Sequence, residues 1–229
     1  MLIEVIAETV ADAHEAEQGG AGRIELVRDL ARGGLTPSLA LIDAVVNAVR
    51  IPVRVMLRDA EPFVLADPAE PARLHTVARA ACEYGAAGFV LGFLRDGAPD
   101  LGPFRLALGT LTTAVTFHRA FDQAADPLGA LRALAGEPRI DRVLTSGGGG
   151  DWPTRFARLQ TLRRAAPQVQ TILAGGGLDR EALHDLAAAG FAEAHVGRAA
   201  RIGAGHTSRV HARQVAALVA LVTSAAAPS

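Results

Sequence analysis

Apolar residues in this chain gather in short runs of strand length, and between the runs their period lengthens to that of a helix. The runs lie at Leu2–Ala7, Arg23–Val27, Val53–Leu57, Phe89–Gly92, Ala114–His118, Arg142–Ser146, Thr171–Ala174 and Glu193–Gly197. Amphipathic or Ala-rich segments separate them. A first helix is expected over Thr9–Gln18, stopped by Gly19-Gly20. A second starts after Thr36-Pro37-Ser38, a third after Asp67-Pro68, and a short one spans Pro103–Gly109. A sixth follows Asp151-Trp152-Pro153, and a seventh covers Arg180–Ala189, with Asp179 as N-cap and Gly190 as its stop. Eight strands alternating with helices, joined by short linkers, predict an α/β chain folded as one (β/α)8 TIM barrel over residues 1–223, with 224–229 as a frayed tail. A doubly wound sheet is the competing arrangement, but no strand here runs into a G-x-G-x-x-G turn.

Parallel barrel strands are covered by helices outside and filled by side chains inside, so a charge on a strand must point inward or sit at an end. The strand charges keep the two-residue period: Glu4, then Arg23 and Glu25, then Arg54 and Arg58, Thr116 and His118, Arg142 and Ser146, Glu193 and His195. Arg23, Arg54, Arg142 and Glu193 begin their strands and are expected to form a structural salt-bridge layer. Glu25, Arg58, His118, Ser146 and His195 end theirs, where barrel active sites lie, and Glu4 looks up the barrel from mid-strand. The densest segment, Thr116-Phe117-His118-Arg119-Ala120-Phe121-Asp122, puts an imidazole, a guanidinium and a carboxylate in one strand-end turn. Candidate acid–base groups are therefore Glu4, Glu25, His118, Asp122 and His195. Asp122 is read equally as a helix cap or as a partner that orients an arginine. Arg58 and Arg119 are candidate forks for a carboxylate or phosphate.

Glycine-rich turns follow three strands at the same mouth: Ser146-Gly147-Gly148-Gly149-Gly150, then Gly175-Gly176-Gly177, then Gly197-Arg198-Ala199. Glycine lets backbone N–H groups turn toward an anion, and the loops after strands 7 and 8 hold phosphate in many barrels. Ser146, Gly175, Gly176, Gly177, Gly197 and Arg198 join the anion-binding candidates.

Composition narrows the chemistry. The 229 residues are half hydrophobic, enough for a large core, and the net charge of −1 calls for neither nucleic acid nor an anionic membrane. All 23 basic residues are arginine; without lysine no Schiff base can form. The single cysteine, Cys82, lies in a helical stretch and suits a reducing compartment. No basic leader followed by an apolar run opens the chain, so no signal peptide is expected.

Arg23-Ile24-Glu25-Leu26, Gly33-Gly34-Leu35-Thr36-Pro37-Ser38, Ile51-Pro52-Val53 with Arg58, Thr116–Asp122 and Arg142-Val143-Leu144-Thr145-Ser146-Gly147 together resemble the CutC family, in order and spacing, over nearly the whole chain. The resemblance implies a barrel, a cytoplasmic location, homo-oligomers (dimer or tetramer) and a part in copper tolerance through Cu(I) binding. It also implies that Glu4, Glu25, Arg58, His118, Arg119, Asp122, Ser146 and His195 form the cluster at the barrel mouth. Members credited with copper binding carry cysteines near the ends of the first two strands; here Glu4-Val5-Ile6-Ala7 and Glu25-Leu26-Val27 carry no sulfur. Only Cys82, Met1 and Met56 bring sulfur, and Cu(I) prefers thiolate or thioether ligands. Copper as cofactor thus rests on the resemblance alone. Three functions are compared: a copper-homeostasis protein, a barrel enzyme using His/Glu acid–base chemistry on a small phosphate- or carboxylate-bearing substrate, and a non-catalytic scaffold. A non-sulfur site of Glu4, Glu25, His118 and His195 for Zn, Mn or Fe is a variant of the second. Converging charges weigh against the scaffold, because burying them is costly.

Overall fold

The computed structural model describes residues 1–168, 170–203 and 208–225. Eight parallel strands close into a barrel in chain order: β1 Leu2–Ala7, β2 Arg23–Leu26, β3 Val53–Met56, β4 Gly88–Leu91, β5 Val115–Phe117, β6 Ile140–Thr145, β7 Thr171–Ala174 and β8 Glu193–Val196, with β8 returning to β1. In that last seam Glu4 pairs with His195 in register. Helices α1 Val10–Gln18, α2 Leu39–Ala48, α3 Glu70–Tyr84, α4 Leu101–Leu108, α5 Pro127–Ala135, α6 Trp152–Ala165, α7 Arg180–Ala188 and α8 Ala212–Ala225 surround it. The fold is a (β/α)8 TIM barrel.

The caps explain the helix starts. Thr9, Ser38, Asp151 and Asp179 each accept an N–H from the first turn of the following helix. The first helix opens at Val10, one residue later than expected, and the sixth at Trp152, inside the expected lead-in; the third and fourth starts also differ. Asp67 takes the N–H of Ala69, and the helix proper opens at Glu70. The short helix starts at Leu101, because Asp100 caps it by accepting from Gly102. The seventh helix ends at Ala188, with Gly190 at φ +75° just beyond. The expected frayed tail begins inside a helix, since Ser224 and Ala225 belong to α8; residues 226–229 lie outside the described residues. Two small hairpins, Leu94–Arg95 with Ala98–Pro99 and Arg201–Ile202 with Arg209–Val210, decorate the loops after β4 and β8.

Apolar side chains from strands and helices pack as one core, with Phe89, Phe104, Phe117 and Phe121 fully buried in it. The polar layer at the strand beginnings forms a continuous network across the barrel. Arg23 bonds Glu4 and, at 2.5 Å, Glu193. Glu193 takes a two-point fork from Arg142, both contacts 2.7 Å. Arg142 also meets Asp141, which accepts a second fork from Arg54; Arg54 reaches the Thr116 hydroxyl at 2.7 Å. Asp141 enters this network because β6 begins at Ile140, two residues before the expected Arg142.

Candidate functional site

The strand ends open into a cavity of about 1020 Å³. Glu25, Arg58, His118, Arg119, Asp122, Gly176, Gly177, His195, Gly197 and Arg198 line it; Glu4, Ser146 and Gly175 are buried and are not part of that lining.

At the floor β1, β2 and β8 bring Glu4, Glu25 and His195 together. Glu4 is fully buried, pairs with Arg23 through one oxygen, and accepts from His195 Nδ1 at 2.8 Å through the other. Burial pushes its carboxyl up, but the bonds to His195 and Arg23 outweigh that and hold it near 2. Glu25 has no such partner. Among the described residues its Oε2 is buried without a hydrogen bond, and it lies 3.8 Å from His195 Nδ1. Burial raises its carboxyl to about 7, against the pull of His195. The His195 imidazole moves upward: burial opposes its charge, but Glu25 and Glu4 favour it more. Glu25 and His195 are thus shifted upward side by side, while Glu4, held low, orients the ring through its bond to Nδ1. Ligand atoms of Glu4, Glu25 and His195 all lie within 4.8 Å of one another. These oxygens and nitrogen suit Zn, Mn or Fe, but Glu4 already spends both oxygens, and Arg23 holds a fixed positive charge beside them.

His118 behaves differently. Its Nδ1 accepts from the N–H of Ala120, so the proton sits on Nε2, which is buried with no partner among the described residues. Burial and the neighbouring Arg58 charge push this imidazole down to about 3. It is a neutral N–H donor, not a base that titrates near pH 7. The Phe63 ring packs on it at 4.9 Å.

The arginines divide in the same way. Arg58 spends four N–H groups on backbone carbonyls of Gly33, Gly34, Ala60 and Glu61, and stacks on Phe63 at 4.8 Å. It knits two loops together, which leaves little of the expected anion fork. Arg119 gives only Nε, to Asp122 at 3.1 Å; among the described residues its terminal nitrogens make no bond. Arg198 is exposed and makes none among those residues. Asp122 accepts from Arg119, the Thr145 hydroxyl, and the N–H and hydroxyl of Ser146. It positions Arg119 and ties the turn after β6 to that after β5. Ser146 is thereby consumed in the scaffold.

The glycine turns also differ. After β6, Gly147 and Gly148 donate to the side chains of Thr145 and Ser146. After β7, the carbonyls of Gly175 and Gly176 accept from Arg155, while the N–H groups of Gly176 and Gly177 donate to nothing among the described residues. Sequence patterning missed Arg201, which lies on the cavity wall but is buried against Ile6, Asp12 and the Ser208 carbonyl. It sits in a hairpin beyond the last strand, where no periodicity marks it.

A closed parallel barrel with acid–base groups at the carboxyl ends of its strands defines the class: a TIM-barrel protein with its candidate site at the C-terminal mouth. Residues 1–200 match the model of the CutC family. The copper homeostasis protein cutC homolog of Mus musculus is 36% identical over 197 residues, covering 85% of this chain and 72% of that protein. The homolog of Homo sapiens is 36% identical over 200 residues, with the same coverage. The solved CutC structure from Streptococcus agalactiae superposes with a TM-score of 0.78 at 26% identity, over 86% of this chain and 98% of the other. The chain belongs to the CutC family.

Proposed function

We propose that this chain serves in copper homeostasis, the role for which its relatives are named, and that its working part is the cavity at the barrel mouth. Direct Cu(I) ligation fits the residues poorly. Cu(I) wants sulfur, and among the described residues Met56 alone brings sulfur to the cavity wall. Cys82 lies on α3 beside the Thr113 hydroxyl, at 3.3 Å, in the outer layer. The floor offers carboxylate and imidazole instead.

A second reading is favoured by one observation, the buried Glu25 carboxyl with an unpartnered oxygen and a pKa near 7. Such a group is suited to general acid–base work. On this reading the chain is an enzyme that moves a proton on a small anionic molecule, with Glu25 and His195 as the titrating pair. His118 donates a hydrogen bond from its neutral ring, and Arg119 and Arg198 attract the anion. We extend to this chain the cytoplasmic location and the dimer or tetramer implied by the family. No described helix is long and apolar enough to cross a membrane.

The deciding experiment is an anaerobic titration of reduced protein against a chromophoric Cu(I) chelator, with Cys82→Ser and Met56→Leu alongside. The expected result is no competition with the chelator. One tightly bound equivalent, lost in either variant, would establish copper ligation and remove the case for the second reading.

A further inference from the structure

Most polar groups around the mouth are spent on the scaffold, and those left over converge on one turn. A side chain at Gly176 would put its Cβ 3.6 Å from the Arg119 guanidinium carbon, and one at Gly177 would lie 3.1 Å from an Arg198 nitrogen. Two guanidiniums thus flank the same two residues, whose N–H groups are unpaired among the described residues. Both glycines have positive φ, +80° and +74°, so a substituted residue there is strained as well as crowded. The adjoining Gly175 rests on the His195 ring, its ideal Cβ position 3.2 Å from Cδ2. The turn therefore stands beside the Glu25–His195 pair. Asp179 caps α7 by accepting the N–H of Ala182. Asp122 is the carboxylate in contact with Arg119, and its oxygens are occupied by Thr145 and Ser146.

We infer that the Gly176–Gly177 turn, with Arg119 and Arg198, is a phosphate subsite, and that the cavity takes a small phosphate monoester whose carbon skeleton lies over His195 and Glu25. This rests on the reading of the mouth as a small-anion site and narrows it. Two guanidiniums and two backbone N–H groups present more donors than a planar two-oxygen carboxylate can use; a phosphate monoester offers three terminal oxygens and a second negative charge.

The test is calorimetric titration of the full chain with inorganic phosphate, glycerol phosphate and malonate. Variants are Arg198→Ala, Gly177→Ala and, as a control, Gly149→Ala, whose added Cβ meets nothing within 4 Å. Both phosphates are expected to bind at least about tenfold more tightly than malonate. Arg198→Ala and Gly177→Ala should each weaken them by about tenfold or more, and Gly149→Ala by less than about twofold. Glycerol phosphate binding more tightly than inorganic phosphate would identify the ester as the ligand; inorganic phosphate binding more tightly would overturn the monoester assignment. Phosphate binding indifferent to Arg198 and Gly177 would overturn the subsite. Preference for malonate would overturn the phosphate class while leaving an anion site at the mouth, and failure of all three probes would overturn both.

Discussion

Glu25 carries the sharpest residue-scale expectation. Its folded pKa near 7 lies above the ordinary 4.5, so the folded chain holds the extra proton between those values. Stability therefore falls as pH rises through that window. His195, raised in the fold, acts with the same sign: its contribution is present at low pH and lost as pH rises through its folded value. Glu4, held near 2, stabilises above pH 4.5 and loses that contribution as pH falls toward 2. The chain should be most stable near pH 5 and weaken by roughly 1–3 kcal/mol toward pH 8. Glu25→Gln should remove most of that decline, which urea unfolding at pH 5 and pH 8 would measure; an unchanged decline would reassign the titration. His118 should stay neutral throughout, so its ring resonances in NMR should not move between pH 5 and pH 8. A titration midpoint near 6.5 would contradict the buried neutral donor.

At the scale of elements, the turns after β6 and β7 are both glycine-rich for different physical reasons. Gly175 is small because Leu144 and His195 press on it, with an added Cβ meeting Leu144 Cδ1 at 2.6 Å. Gly175→Ala should cost about 1–3 kcal/mol in unfolding free energy by overpacking, whereas Gly149→Ala should stay within about 0.5 kcal/mol. Equal costs would mean that the packing argument fails. Strand periodicity located all eight barrel strands, because each buries apolar side chains toward the helices, with the strand charges keeping to the inward face. It placed the start of β6 late: Asp141 looks like a loop residue in one dimension, and only the fork from Arg54, on a distant strand, makes it tolerable beside the barrel.

At the scale of the whole molecule, the strand-beginning network joins β1, β2, β3, β5, β6 and β8. Each member compensates another, so removing one leaves buried charge without a partner. Arg23→Met should destabilise by about 3–5 kcal/mol, since Glu4 and Glu193 both lose a cation. It should also disturb the floor of the cavity, because Glu4 would no longer be held for His195. Chemical denaturation reads the first effect and the His195 chemical shift the second. A loss below about 1 kcal/mol would mean that water replaces the guanidinium.

Local pattern determined the barrel. Alternation, helix caps and glycine stops depend on neighbours in the chain, and they survive being read one residue at a time. The same pattern put His118, His195, Glu25 and the arginines at one mouth, because strand position sets which end a side chain reaches. What each group is free to do was decided only by the tertiary structure. Arg58 and Arg119 look alike in sequence, yet one is consumed by four carbonyls and the other is open. His118 and His195 both end strands, yet burial beside Arg58 silences one, and two glutamates from other strands make the other basic. Hydrogen-bond partners and desolvation are properties of residues brought together from far along the chain, and no local spacing encodes them.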